Sequence, residues 1–291
     1  MNFARKRKPI CSLRSAYIVL VAAASVASSA PPPPPPGYAL VAALSDEFDG
    51  NALDLTKWAP RDEGWLGRQP GLFSSDNVIV GGGALQLWAR NATRNASWPA
   101  GYDNFTTAAV HSLARVRLGF FEIRWRSGSS AISSSWWLHE GNGSAWTEID
   151  VFETTGVTNP AKYGANQSDL PSHVHIFELP DVPVPSLPAA CNCTEGTVGQ
   201  APCSKGNTFR LPTGASFADD FHVASLNWTE SKVTISLDGA VVSSISSPCL
   251  VEEIGMDFDR ETMPGWMMLP PTQELPDSPF MVDYVRTYQL L

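Results

Sequence analysis

Through most of the chain after residue 40, apolar and polar positions alternate with a period of two. The run 120–126 shows it cleanly: Phe121, Ile123 and Trp125 fall on one side, Glu122, Arg124 and Arg126 on the other. Runs of the same kind predict strands over 84–90, 133–139, 148–153, 173–177, 221–228, 232–237, 240–245 and 280–290. Asp238-Gly239, between two of these runs, is a two-residue hairpin turn. No stretch sustains the 3.6-residue apolar period of a helix, and there is no internal repeat and no phosphate- or dinucleotide-binding fingerprint. Short strands joined by Gly- and Pro-rich turns predict an all-β sandwich or jelly roll. The region 155–212 departs from the pattern. Rich in Pro, Gly, Asn and Ser, it is expected to form a long, partly disulfide-stapled loop beside a functional face.

The first thirty residues break the pattern differently. Arg5, Lys6, Arg7, Lys8 and Arg14 precede and flank a short apolar run, and Ala27, Ser28, Ser29 and Ala30 supply small residues for cleavage. This predicts a signal peptide over 1–30, with a signal anchor as the alternative. Pro31 to Pro36 make a stiff spacer, so 31–37 is read as a polyproline linker and 38–291 as a single domain. The chain has 291 residues, 43% of them apolar, ample for one large core. The leader holds five of the 20 lysines and arginines and none of the 29 acids, which leaves a body of net charge −14. Such a body excludes nucleic acid as a partner and predicts no membrane association once the leader is gone. Cys191, Cys193, Cys203 and Cys249 are an even set that predicts two disulfides of open connectivity in a secreted chain. Seven glycosylation sequons begin at Asn91, Asn95, Asn104, Asn142, Asn166, Asn192 and Asn227 and point the same way.

Chemistry is concentrated where the alternation loses phase. In the run Thr147-Glu148-Ile149-Asp150-Val151-Phe152-Glu153, a regular strand places Glu148 and Asp150 on one face but turns Glu153 in with Ile149 and Val151. Burying that carboxylate unpaired is costly. A β-bulge at Val151-Phe152 flips the phase and brings all three acids to one face. Three crowded carboxylates repel one another, and such a cluster calls for a function or a cation. Cleavage of a glycosidic bond uses this arrangement: one carboxylate attacks, while a second, its pKa raised, protonates the leaving oxygen. Retaining enzymes hold the two about 5–5.5 Å apart. Glu148 and Glu153 fit as that pair, with Asp150 between them tuning protonation.

Glu-Ile-Asp-Val-Phe-Glu at 148–153 resembles the bulged Glu-x-Asp-x-x-Glu signature of glycoside hydrolase family 16. The likeness extends through Ser45-Asp46-Glu47-Phe48-Asp49-Gly50 and Lys57-Trp58, Gly119 to Arg124, Ser134 to Leu138, Asp220 to Gly239 and Met281 to Arg286, in the family's order over 44–289. The resemblance implies a concanavalin A-like jelly roll of two curved antiparallel sheets with a concave glycan cleft. It implies Glu148 as nucleophile, Asp150 as its helper, Glu153 as general acid/base, and retention of configuration without a cofactor. Trp65 to Gly71, Asp76 to Val80 and Met267 to Pro271 look most like the agarase and porphyranase branch. Red-algal galactans are therefore the first substrate expectation and β-1,3-glucans the second.

Further candidates surround the acids. Trp137 shares its strand face with Ser135 and His139 and is expected as a sugar platform, while Trp136 packs inward. Trp65 and Trp146 are placed in loop settings as stacking residues. His175 is expected to bond sugar hydroxyls or orient a carboxylate, and Arg68 to grip a sulfate or hydroxyl or to form a structural ion pair. Glu122 is read as facing solvent. Glu47 and Asp283 match the positions of a structural calcium site found in some family members. The expected state is a monomer acting on a polysaccharide. Two rivals are a transglycosylase, disfavoured by the bulge, and a non-catalytic lectin-like sandwich, disfavoured by intact glutamates.

Overall fold

The computed structural model describes residues 36–61, 64–141, 145–158, 167–178, 203–212, 214–246, 250, 252–265, 267 and 278–291. The predicted leader and three of the four cysteines expected to form disulfides, Cys191, Cys193 and Cys249, lie outside these residues. The described strands, in chain order, are β1 Tyr38–Leu40, β2 Trp58–Ala59, β3 Gly71–Phe73, β4 Val78–Val80, β5 Leu85–Leu87, β6 Arg90–Asn91, β7 Phe105–Ser112, β8 Gly119–Arg126, β9 Ser133–Gly141, β10 Ala145–Thr155, β11 Asp169–Glu178, β12 Cys203–Arg210, β13 His222–Thr229, β14 Lys232–Leu237, β15 Ala240–Ser246, β16 Gly255–Arg260 and β17 Phe280–Leu290. Two single 3₁₀ turns, Ala42–Leu44 and Ser75–Asn77, are the only helical pieces among the described residues.

The strands form two sheets. One runs β15-β14-β13-β8-β17-β5-β4, with β1 on β17; the other runs β12-β11-β10-β9-β16-β7-β2, with β3 and β6 on β7. Every pairing is antiparallel except β3 with β7. This is the all-β jelly roll that the alternation predicts. The inward residues of β8, Phe121, Ile123 and Trp125, are fully buried, while Phe120, Glu122, Arg124 and Arg126 remain partly exposed on the far side. Trp125 crosses the core to stack on Phe152 of β10, ring centroids 3.8 Å apart, and Phe280 meets both rings edge-on. The predicted hairpin joins β14 to β15, with positive φ at both Asp238 (48°) and Gly239 (81°), as a type I′ turn requires.

Two expectations need correction. The region 155–212 is not one long loop. β11 begins at Asp169 and β12 pairs along it from Asp169↔Arg210 to Ile176↔Cys203. Polar outward residues and Gly206 hid that edge strand. The strand containing Glu148 starts at Ala145, so Trp146 is a strand residue, paired with Gly141 and Phe177, and not a loop residue. Its side chain lies outside the described residues. The two acids singled out for calcium, Glu47 and Asp283, are each engaged by an arginine. Glu47 takes both Nε and Nη2 of Arg286 at 2.8 Å, and Asp283 accepts from Arg124 at 2.8 Å. A bidentate guanidinium already supplies the positive charge that a cation would bring to Glu47.

Candidate active site

The bulge stands where the phase argument puts it. β9 opposes β10 with Asp150↔Trp137 and then Phe152↔Trp136, so Val151 is the extra residue. Ile149, Val151 and Phe152 are fully buried in the core. Glu148, Asp150 and Glu153 all line a cleft of about 450 Å³ on the other face of the same sheet. One extra residue thus sends two consecutive side chains, Val151 and Phe152, inward and returns Glu153 to the acids.

Neighbouring strands complete the cleft. Trp137 lines it, yet only 6% of the residue is exposed. Its indole Nε1 donates to Asp259 Oδ2 at 2.6 Å, and its ring stacks on His139 at 4.3 Å. Trp65 stands edge-on to Trp137 at 5.4 Å. The Arg68 guanidinium lies 5.6 Å from the Trp65 ring centre and donates to Glu261 Oε2 at 2.8 Å. Arg68 therefore lines the cleft while paired with Glu261. The loop carrying Trp65 and Arg68 is fastened to the end of β16, since the Arg68 backbone N–H also donates to Glu261 and Thr262 Oγ1 donates to the Arg68 carbonyl. His175, opposite Glu148 on β11, places Nε2 3.2 Å from Asp150 Oδ2. Glu122 is remote from the cleft and accepts from the Tyr284 hydroxyl at 2.9 Å.

Residue-by-residue reading missed the acids of β16 and its end, which lie across β9 from the strand of the three acids. Asp259 and Glu261 line the cleft beside Met263 and Gly64. They belong to an alternating run, Asp257-Phe258-Asp259-Arg260-Glu261, whose acids share one face. That period-two signal was available. Beside it, Asp257 accepts from His111 Nδ1 at 3.0 Å and lies 2.9 Å from His139 Nε2.

Of the five carboxylates lining the cleft, Glu153, Asp259 and Glu261 are shifted upward. Burial, then the charges of Asp150 and Glu148, hold Glu153 well above the usual carboxylate range. Burial also pushes Asp259 up to about 7, against the hydrogen bond from Trp137 and the charge of Arg68. Glu261 is pushed up to about 8, mainly by burial, with Arg68 pulling it down and Asp259 pushing it up. Asp257 goes the other way. Burial acts to raise it, but the hydrogen bonds from His111 and His139 prevail and hold it below its ordinary value. The result is a carboxyl group, Glu153, that keeps its proton beside acids on the same strand face. That is the state a proton donor to a leaving oxygen needs.

The comparisons with known proteins return porphyranases together with a glucan endo-1,3-beta-glucosidase and a kappa-carrageenase. The beta-porphyranase A-D, GH16 domain family matches residues 38–290. Beta-porphyranase B of Zobellia galactanivorans is 28% identical over 237 residues, covering 77% of this chain and 71% of that protein. Beta-porphyranase E of the same organism is 28% identical over 268 residues, covering 86% and 87%. The crystal structure of porphyranase B from Z. galactanivorans superposes with a TM-score of 0.70 at 25% identity, covering 87% of this chain and 92% of that one.

Proposed function

Because the chain belongs to the beta-porphyranase A-D group of glycoside hydrolase family 16, and is therefore a glycosidase that hydrolyses O-glycosyl bonds, we propose that it cuts a β-linked red-algal galactan of the agarose or porphyran kind within the polymer, retaining configuration. The observation that carries this reading is the bulge, which gathers Glu148, Asp150 and Glu153 on the cleft face and leaves Glu153 with a raised pKa.

In the proposed mechanism the Glu148 carboxylate attacks the anomeric carbon while Glu153 gives its proton to the leaving oxygen. A glycosyl ester on Glu148 forms. Glu153, now ionised, takes a proton from water, which attacks the ester and regenerates both groups. No cofactor enters either step. Asp150, held by His175 at 3.2 Å, lies between the two glutamates in the chain and keeps the proton on Glu153 by its charge. Trp137 and Trp65 form an aromatic wall against which sugar rings stack.

Secretion, glycosylation and two disulfides complete the proposal, on the strength of the leader, the sequons and the even cysteine set. The sequon asparagines at 91, 95, 104 and 227 are exposed, as oligosaccharide transfer requires. A soluble monomer after leader removal is the expected form.

The test is reducing-end release on agarose, porphyran, κ-carrageenan, laminarin and mixed-linkage glucan, with Glu148→Gln as control. Release from one galactan, lost in the variant, is the expected result. Activity confined to laminarin would overturn the substrate, and binding without cleavage of any polymer would overturn the catalytic reading.

A further inference from the structure

β11 presents two imidazoles to the cleft side of the sheet, two residues apart. Ser172 and Val174 are buried, so His173 and His175 share the opposite, partly exposed face. Their rings stack with centroids 5.3 Å apart. In the β10–β11 pairing, Asp150 stands opposite His173, and its Oδ2 lies 3.2 Å from His175 Nε2. One ligand atom from each of Asp150, His173 and His175 lies within 4.8 Å of the other two. Gly206, the β12 partner of His173, leaves room for this ring: a Cβ there would stand 2.1 Å from His173 Cδ2. The donors are thus seated on two adjacent strands, β10 and β11, with β12 backing His173.

The geometry points to a site for a zinc-class divalent ion on Asp150, His173 and His175, whose occupancy withdraws Asp150 from the catalytic acids and reversibly stops hydrolysis. The inhibitory half of this inference rests on the hydrolase reading; the metal site does not. Two imidazole nitrogens and one carboxylate oxygen, with further positions left to water, suit zinc(II), cobalt(II) or copper(II). They do not suit calcium, which takes six or more oxygens. Two donors sharing a tetrahedral zinc at about 2.0–2.2 Å stand roughly 3.3 Å apart, and Asp150 and His175 already have that separation. His173 closes the set. Once coordinated, Asp150 has its oxygen engaged by the ion and not by the reacting pair, and any proton on the coordinating nitrogens is released to solvent.

The His111, His139 and Asp257 group offers the same donor types, so the experiment must separate the two. Untagged, chelator-treated protein is titrated with cobalt(II) without substrate, and the visible ligand-field bands are followed; galactan hydrolysis is then measured against zinc(II) with and without a chelator. Each protein's own metal-free rate is its reference. The native chain and His111→Gln are expected to show the bands of the Asp150 site and chelator-reversible zinc inhibition, with calcium inert. His173→Gln and His175→Gln should lose the bands and shift half-inhibition by more than about 100-fold, beyond the 10–100-fold that an outer-shell partner commands. Inhibition unchanged in both β11 variants, or abolished only in His111→Gln, would overturn the site. Bands that vanish in the β11 variants while zinc leaves hydrolysis untouched would overturn the switch and keep the site. A protein that binds cobalt through β11 yet cleaves no polysaccharide would keep the site while sinking the hydrolase reading.

Discussion

At the scale of single residues, Glu153 is the group whose environment most constrains its chemistry. In the proposed mechanism it holds a proton when the glycosidic bond breaks, and burial together with Asp150 and Glu148 raises its pKa above the ordinary carboxylate range. As pH rises through this elevated value Glu153 ionises, so kcat/KM should fall on the alkaline side. Asp150 is the strongest electrostatic contributor after burial. Asp150→Asn removes that charge, and the alkaline limb should move to lower pH whatever happens to the maximum rate. A limb that stays put or moves up in a pH–rate profile would show that another group sets it. Glu153→Gln should cost about 10²–10⁴-fold in turnover on polysaccharide, the usual worth of a positioned proton donor. The loss should shrink on an aryl glycoside whose leaving group needs no proton, which initial-rate measurements on both substrates will compare. The convergence of Glu148, Asp150 and Glu153 on one face was legible in the chain because a buried lone carboxylate is untenable, which forces the bulge. Asp259 and Glu261 were not singled out, because acids alternating with Phe258 and Arg260 read as a solvated face until β16 is known to lie between β9 and β7.

At the scale of elements, the bulge in β10 serves both faces of one strand. It returns Glu153 to the cleft, and it turns Phe152 into the stack with Trp125 of the other sheet. Phe152→Ala removes a fully buried ring from that contact and should destabilise the fold by about 3–5 kcal/mol, read from denaturant midpoints. Below its unfolding transition the variant should stay far more active than Glu153→Gln, since strand register, not the Phe152 ring, returns the acid to the cleft face. Equal activity losses in the two would place the catalytic geometry under control of the aromatic stack. Strands were legible wherever one face is solvated, as in β8, β14 and β17. β7 escaped because it is buried at six of its eight positions, which blurs the alternation. β16 keeps an alternation but buries both faces, so its acids read as a solvated edge and not as part of a covered strand. β2, β3, β4 and β6 have two or three residues each, too few to show a period.

At the scale of the whole molecule, the cleft wall has a consequence for stability. In the unfolded chain Asp259 and Glu261 ionise near their ordinary values of 3.8 and 4.5, whereas in the folded chain they keep protons up to about 7 and about 8. Between those limits the folded state binds more protons than the unfolded state, so stability declines as pH rises from about 4 to about 8. A second contribution acts in the same direction, because a body of net charge −14 at neutral pH repels itself more strongly as its acids ionise. Salt distinguishes them. Surface repulsion is screened within about 8–10 Å at physiological ionic strength, while charges taken out of solvent are screened far less. Thermal midpoints should therefore fall across this pH range, and added salt should recover only part of the fall. Asp259→Asn cannot ionise, so its midpoint should change less with pH than that of the native chain at high salt. If salt alone flattened the native profile, the decline would belong to the surface charge and the buried wall would carry no share of it.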